Sequence, residues 1–273
     1  MKIKKIEKEN YFGKKIYKKI NKIQNYKLEI TKAIKNNKFK LYIQPKYNTQ
    51  TKEISGGEIL IRWNKNNEII YPNKFINNLE KNRIIYKIDL FVLNKICKKL
   101  EEWNKNNKLN KIKISINQSQ KNLLNKSYLN LINKIINKYN FEKKYLEIEL
   151  TESIFIKDRN KVKELEKELH KLNVQVSIDD FGTGYSSYYL LSEIQIDVIK
   201  LDKKLFDNLE NEKAKIIVEA IVNLAKKLKI KIVAEGIETE EQYQFAKQLQ
   251  CDEIQGYYFS KAISLEEFEE NYK

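Results

Sequence analysis

Most stretches of this chain that read as β-strands carry a carboxylate or an amide at or near their C-terminal end. Glu58 stands in EISGGEILIRW and Asn117 closes KIKISIN. Glu149 lies in YLEIEL with Glu152 just beyond, and Asp179 and Asp180 follow VQVSI. Glu235 follows KIVA and Gln255 follows DEI, while Lys200 holds the equivalent place in DVIKLD. If the strands are parallel and closed into a barrel, these ends share one face, and the scattered residues become a single constellation. Converging carboxylates repel one another unless protons or a cation neutralise them. A donor set made of oxygen suits hard divalent ions such as Mg²⁺ or Mn²⁺. With 2 Cys and 1 His, zinc held by Cys and His is not expected. A carboxylate shared by two ions would build a two-metal site, the arrangement that clamps phosphodiesters, so the cluster suggests phosphoester hydrolysis.

Taken singly, these residues have plainer readings. Thr151–Ser153 could cap a helix, the run from Glu238 to Glu241 suits an acidic first helical turn, and Lys200 could be a surface lysine. Their joint placement favours function. The glycines agree: of only 7, Gly56 and Gly57 precede Glu58, Gly182 and Gly184 follow the aspartate pair, Gly236 follows Glu235 and Gly256 follows Gln255. Tight turns and close ligand approach need such backbone.

The elements that must position this set alternate. FKLYIQP and EISGGEILIRW read as strands, followed by a helical period in YKIDLFVLNKICKKLEEW. Strands at KIKISIN, YLEIEL, VQVSID, IDVIKLD, KIVAEG and DEIQGYYF are separated by helical stretches, among them one with Val162, Leu165, Leu169 and Leu172 on one stripe. About eight strand candidates, no linker, and only Pro45 and Pro72 argue for one α/β barrel. Residues 1–29 read as a separate basic leader with helical spacing at Ile16, Ile20 and Ile23, and 30–273 as the barrel.

The length of 273 residues is ample for a core, and 41% hydrophobic with 33% charged residues reads as globular. The net charge of +16 comes from lysines spread over solvated faces, so a nucleic-acid polymer is not the expected partner; the positive field instead favours small anions. The longest apolar stretch, Ile216 to Ala225, is broken by Glu219 and Asn223, so no transmembrane span is expected, and the basic N-terminus lacks the apolar core of a signal peptide. Cys97 and Cys251 read as reduced core residues of a cytoplasmic protein. The single His170 reads as a solvated flank of its helix, and Trp63 and Trp103 as core or site-wall aromatics.

In order along the chain stand YIQP (Tyr42–Pro45), EILIRW (Glu58–Trp63), SINQS (Ser115–Ser119), ELTES (Glu149–Ser153), DDFGTGYSS (Asp179–Ser187), IKLD (Ile199–Asp202), AEGIET (Ala234–Thr239) and QGYYFS (Gln255–Ser260). This series resembles the EAL domain phosphodiesterases of bacterial cyclic di-GMP signalling, over about Ile30 to Phe268. The resemblance implies a modified TIM (β/α)8 barrel with one antiparallel strand, and hydrolysis of cyclic di-GMP to linear pGpG with two Mg²⁺ or Mn²⁺ ions. It implies Glu58, Asn117, Glu149 and Asp179 as ligands of the first metal, and Asp179, Asp180 and Glu235 as holders of the second. Lys200 resembles the lysine that orients and helps deprotonate the attacking water, with Glu58 and Glu235 beside it in catalysis. Gln44, Leu60, Arg62, Asp180 and Gln255 match positions near the nucleotide. Glu152, Glu238, Gly182 and Gly184 match supporting positions. The resemblance further implies a homodimer through the loop after Asp180 and the neighbouring helix, while the N-terminal segment itself reads as a leader helix packing on the domain or as the docking helix of a regulatory partner. Two departures stand out: Ile59 replaces the alanine of the family's name motif, a packing change since it alternates away from Glu58, and Ser260–Ser264 lacks the prolines that bear on one guanine contact.

Overall fold

The computed structural model of the chain describes residues 21 and 23–272, except 108, 110, 153, 155–158 and 183–187, and at 120, 121 and 188–190 only the backbone. The chain divides into two compact units, one built from residues 62–88 with the described part of 1–40, the other from 41–61 with 89–273.

The second unit holds the barrel. Its strands are β1 (Phe39–Asn48), β2 (Ile54–Lys65), β4 (Lys113–Asn117), β5 (Leu146–Thr151), β6 (Gln175–Phe181), β7 (Val198–Leu201), β8 (Lys231–Glu235) and β9 (Glu253–Gln255), the ends of β1 and β2 passing into the other unit. Neighbours run in the order β1, β9, β8, β7, β6, β5, β4, β2, and a further β1–β2 pairing closes the circle. From β2 through β9 the pairings are parallel, and β1 is antiparallel to β9. The sequence expectation of an eight-stranded α/β barrel with one reversed strand is met. A short strand β10 (Ile263–Ser264) adds to β1 at Tyr42 and Ile43. Pro45, which has no N–H to give, falls between that ladder and the β9 ladder at Tyr47 and Asn48.

Strand alternation sorts the side chains. Ile114, Ile116, Ile148, Leu150, Val176, Ile178, Ile199 and Ile232 are wholly or almost wholly buried. The helices that follow the strands bring apolar stripes of their own, such as Val162, Leu165 and Leu169 of Arg159–Lys171 and Val218, Ile221 and Val222 of Glu212–Lys227. The alternate residues are polar and point the other way, which leaves an unusually charged barrel interior: Glu58, Glu147, Glu149, Lys46, Ser115, Ser177 and Lys200 are all buried. Barrels of this kind are ordinarily filled by branched apolar layers.

Helix ends are capped where the site needs fixed loops. Asn211 accepts hydrogen bonds from Lys213 N and Ala214 N at the start of Glu212–Lys227. Thr239 and Gln242 form a reciprocal capping box at the start of Glu240–Gln248, and the Gln242 Oε1 also accepts from Glu238 N. The loop after β8 is therefore pinned where it enters this helix.

In the first unit, residues 23–35 are helical and Phe39, Trp63 and Phe75 form an aromatic cluster, with centroids 5.3 Å apart for Phe39–Trp63. The end of β2 turns back into β3 (Glu68–Ile70) through Asn66 and Asn67, both at positive φ, the two-residue turn that asparagine tolerates best. Both cysteines are free and buried. No helix among the described residues is long and apolar enough to cross a membrane.

Candidate active site at the barrel mouth

Lys200 is the centre of the constellation. It is the third residue of β7 and is 1% exposed. Its Nζ lies 2.8 Å from Asp179 Oδ1, 2.8 Å from Glu235 Oε1, 2.9 Å from Glu149 Oε1 and 3.4 Å from Glu58 Oε2. Burial alone would lower its pKa, but the surrounding carboxylates outweigh burial and hold the ammonium well above 10.5. It is charged at any working pH, and it is not a surface lysine.

The carboxylates are not equivalent. Burial would raise the Glu149 carboxyl, yet Lys200 and Lys46 bring it down to about 2. Burial pushes Glu235 up to about 8, against the pull of Lys200, and Asp179 adds a like charge. Glu58 is raised by burial and by its neighbour Glu149. Glu58 is also held by two amides: Asn117 Nδ2 donates to Oε1 at 2.8 Å and Gln255 Nε2 donates to Oε2 at 2.8 Å. The Gln255 amide lies a further 3.3 Å from Gln44 Oε1.

Asp179 and Asp180 end β6, where the register with β7 slips between Ile178 and Phe181. Asp180 takes φ 55° and Gly182 φ 98°, so the strand leaves the sheet through two left-handed residues. That irregularity turns the consecutive aspartates toward one place: Asp179, Asp180 and Glu235 each offer an oxygen, all within 4.8 Å of one another. Gly256 has its own reason, since a Cβ there would stand 2.0 Å from the Ile237 carbonyl oxygen. This contact brings the turn after Gln255 against the loop after Glu235. A cavity of about 270 Å³ opens here, lined among others by Gln44, Glu58, Asp202, Glu235, Glu238 and Gln255.

The fit to a divalent cation is tested by two features. Five carboxyl groups (Glu58, Glu149, Asp179, Asp180 and Glu235) meet two ammonium groups, Lys200 and Lys46, and the raised Glu58 and Glu235 show that burial and like charges outweigh the positive charge available to them. Glu149 is wholly buried, with Lys200 Nζ at 2.9 Å and Lys46 Nζ at 3.5 Å from its Oε1, and Ser115 also hydrogen-bonds to its side chain. Clustered carboxyl oxygens that outnumber the ammonium groups match hard divalent ions.

Several sequence expectations need adjusting. Glu58 does not end its strand; it is the fifth residue of β2, which continues to Lys65, and only the stretch Gly56–Ile59 pairs with β4. Glu58 is at the end of the barrel portion, not of the strand. The strand expected over DEIQGYYF stops at Gln255, because Gly256 begins a turn. Leu60 shares the inner alternation of Glu58. Arg62 belongs to the first unit, where its guanidinium lies 4.7 Å from the centre of the Tyr71 ring. Glu152 is buried one residue beyond β5, and Glu238 is ion-paired with Lys203 at 2.7 Å. Gly184 and the loop expected to mediate dimerisation fall within 183–187, outside the described residues, as does most of the 1–29 leader. His170 flanks the apolar stripe but is only partly solvated: its ring nitrogens lie 2.5 Å from Glu166 Oε1 and 2.8 Å from Asp197 Oδ2. Trp103 is buried away from the site and donates to Glu269 Oε1 at 2.6 Å. Sequence reasoning missed Lys46, although its position two residues after Gln44 on the same strand face was a usable signal.

The chain matches the family model of the EAL domain over residues 27–262. Among curated proteins, it is 32% identical to the signaling protein YkoW of Bacillus subtilis over 90% of this chain and 31% of that protein. It is 30% identical to the cyclic di-GMP phosphodiesterase NbdA of Pseudomonas aeruginosa, over 89% of this chain and 31% of that protein. The chain thus spans about a third of the length of these relatives. Among solved structures, it superposes on the PaMucR phosphodiesterase in complex with c-di-GMP with a TM-score of 0.82 at 29% identity, covering 88% of this chain and 98% of that one. An EAL domain protein from Listeria monocytogenes gives a TM-score of 0.79 at 31% identity, covering 90% and 96%. A reversed first strand, a ring of carboxylates about Lys200 and a family match over nearly the whole length lead to one conclusion: this chain belongs to the EAL domain family.

Proposed function

We propose that this EAL domain is a phosphodiesterase that hydrolyses cyclic di-GMP to linear pGpG with two divalent cations, Mg²⁺ or Mn²⁺. The observation that carries the reading is the convergence of Glu58, Glu149, Asp179 and Glu235 on Lys200, with Asp180 beside them. Glu58, Asn117, Glu149 and Asp179 would hold one ion, and Asp179, Asp180 and Glu235 the other. Such ions supply Lewis acidity toward the phosphodiester and its attacking water.

The chain's own groups do the rest. Lys200 is already protonated, so it acts as a donor: its N–H groups orient the attacking water, and its charge offsets charge developing on the phosphoryl oxygens. Acceptance of the water's proton then falls to a neighbouring carboxylate oxygen, with Glu58 and Glu235 nearest at hand by their contacts with Lys200. Gln44, Leu60, Arg62, Asp180 and Gln255 contact the nucleotide, and Gly182, Glu152 and Glu238 support the loops.

The same reading makes the domain cytoplasmic, dimeric through the loop after Asp180, and coupled through residues 1–29 to a regulatory partner, with 30–273 as the catalytic barrel. The test is incubation of purified protein with cyclic di-GMP and Mg²⁺ or Mn²⁺, with separation of the products. Formation of pGpG that stops on adding EDTA supports the proposal. Tight nucleotide binding with no product would make the domain a receptor instead.

A further inference from the structure

β1 sends two side chains of one face into the barrel, Gln44 and, two residues later, Lys46. Gln44 reaches the Gln255 amide of the site. Lys46 is 2% exposed and contacts a different set of groups. Its Nζ donates to Ser115 Oγ at 2.9 Å and lies 3.5 Å from Glu147 Oε1 and 3.5 Å from Glu149 Oε1. The three contacts tie β1 to β4 and β5.

Glu147 and Glu149 are alternate residues of β5, so both enter the barrel from the same strand face, and both are 1% exposed. Stacked buried carboxylates repel and would push each other aside without a counter-charge between them. Lys113 of β4 also acts electrostatically on Glu147. Glu149 Oε1 faces two ammonium groups, Lys200 at 2.9 Å and Lys46 at 3.5 Å. They differ in what else they hold. Lys200 shares Asp179, Glu235 and Glu58 with any cation at the mouth, so a cation competes with it for the same oxygens. The other contacts of Lys46, Ser115 and Glu147, lie outside that set.

From this geometry we infer that Lys46 is a positioning residue for Glu149: it anchors this carboxylate, and separates it from Glu147, so that it stays aimed at the mouth while a divalent cation displaces Lys200. The inference rests on the cation-binding reading of the site. It carries a sign that simple electrostatics does not. Deleting a nearby positive charge should, by Coulomb's law alone, tighten cation binding. Deleting an anchor behind a ligand should weaken it, by roughly 10–100-fold as for other supporting contacts of metal ligands.

The experiment is calorimetric titration of the purified full chain with Mn²⁺ alone, without nucleotide. Lys46→Met leaves Glu147 and Glu149 facing each other and is prone to unfold. Glu147→Gln and the double variant Lys46→Met/Glu147→Gln therefore carry the decision, with thermal melts to show that both fold. Glu147→Gln is expected to bind Mn²⁺ close to wild type, and the double variant roughly 10–100-fold more weakly. Equal affinity in the two, or tighter binding in the double variant, overturns the role of Lys46. Wild-type protein that binds Mn²⁺ yet leaves cyclic di-GMP uncut counts against hydrolysis and not against Lys46. Wild-type protein that binds no Mn²⁺ overturns both.

Discussion

Replacing Lys200 by methionine keeps most of the side-chain volume and removes the charge on which four carboxylates converge at 2.8–3.4 Å. Removing one partner of a buried ion pair costs about 3–5 kcal/mol, because the other partner stays buried and uncompensated. At about 2–4 °C per kcal/mol for a chain of this size class, the variant should melt roughly 6–20 °C below wild type in EDTA. Mn²⁺ should then narrow this gap. The ammonium competes with cations for the same oxygens in wild type and not in the variant, so Mn²⁺ raises the variant's melting temperature more than wild type's. At a hundred times its Kd a ligand contributes about 2.7 kcal/mol, enough to recover half or more of the loss. Hydrolysis of cyclic di-GMP should not recover, since no group is left to orient the water; a drop of about 10²–10⁴ in kcat with nucleotide affinity little changed is expected. The assays are scanning fluorimetry in EDTA and in Mn²⁺, and product separation under saturating nucleotide. A variant that melts with wild type in EDTA, or gains less from Mn²⁺ than wild type does, refutes the account of Lys200 as the stand-in counter-charge of this pocket.

Glu58→Ala removes the acceptor of both the Asn117 and the Gln255 amides, so Mn²⁺-dependent hydrolysis should be lost; unchanged activation by Mn²⁺ would remove Glu58 from the site. Gly256→Ala sets a Cβ 2.0 Å from the Ile237 carbonyl oxygen, a backbone contact that cannot yield cheaply. It should cost about 1–3 kcal/mol and lower kcat by displacing Gln255, readable by melting and by steady-state kinetics. His170 faces Glu166 on its own helix and Asp197 before β7, and although burial opposes it, these two carboxylates raise its pKa above 6.5. A raised folded-state value means the protonated ring stabilises the fold in full below about pH 6.5 and stops doing so as pH rises through the raised value. The stability gap between wild type and His170→Gln in urea melts should therefore be widest at acid pH and narrow above neutrality, and a gap that widens with pH would contradict the pairing.

The parts of the site that were legible in the sequence are those fixed by strand ends. Asn117, Glu235 and Gln255 close their strands, and parallel pairing with short connections can only bring such residues to one face. Glu58 was found for the right chemistry with the wrong geometry, because β2 outlasts its pairing with β4, and where a ladder stops is decided by the partner strand. His170 looked solvated because its second partner, Asp197, is 27 residues away and belongs to another element. The end of β9 was misplaced because Tyr257, Tyr258 and Phe259 favour a strand, while Gly256 turns the chain where only a missing Cβ permits it.

Lys46 shows why the rest stayed hidden. A lysine beside proline in a lysine-rich chain carries no signal by type, and a net charge of +16 makes any one lysine look like surface. Its burial follows from β1 alone being antiparallel to its barrel neighbour β9. With that strand reversed, the residues after Gln44 run down into the barrel instead of out toward the mouth, so the side chain two positions on enters a lower layer, among Ser115 and Glu147. In a barrel of uniformly parallel strands the same sequence would have carried Lys46 past the carboxylates into solvent. The reversal of one strand thus does two things at once: it brings the Gln44 side chain to the site, and it sets a second buried ammonium against Glu149. A pocket that must hold five carboxylates before any cation arrives needs counter-charge that the cation will not displace, and Lys46 on the reversed strand is placed to supply it.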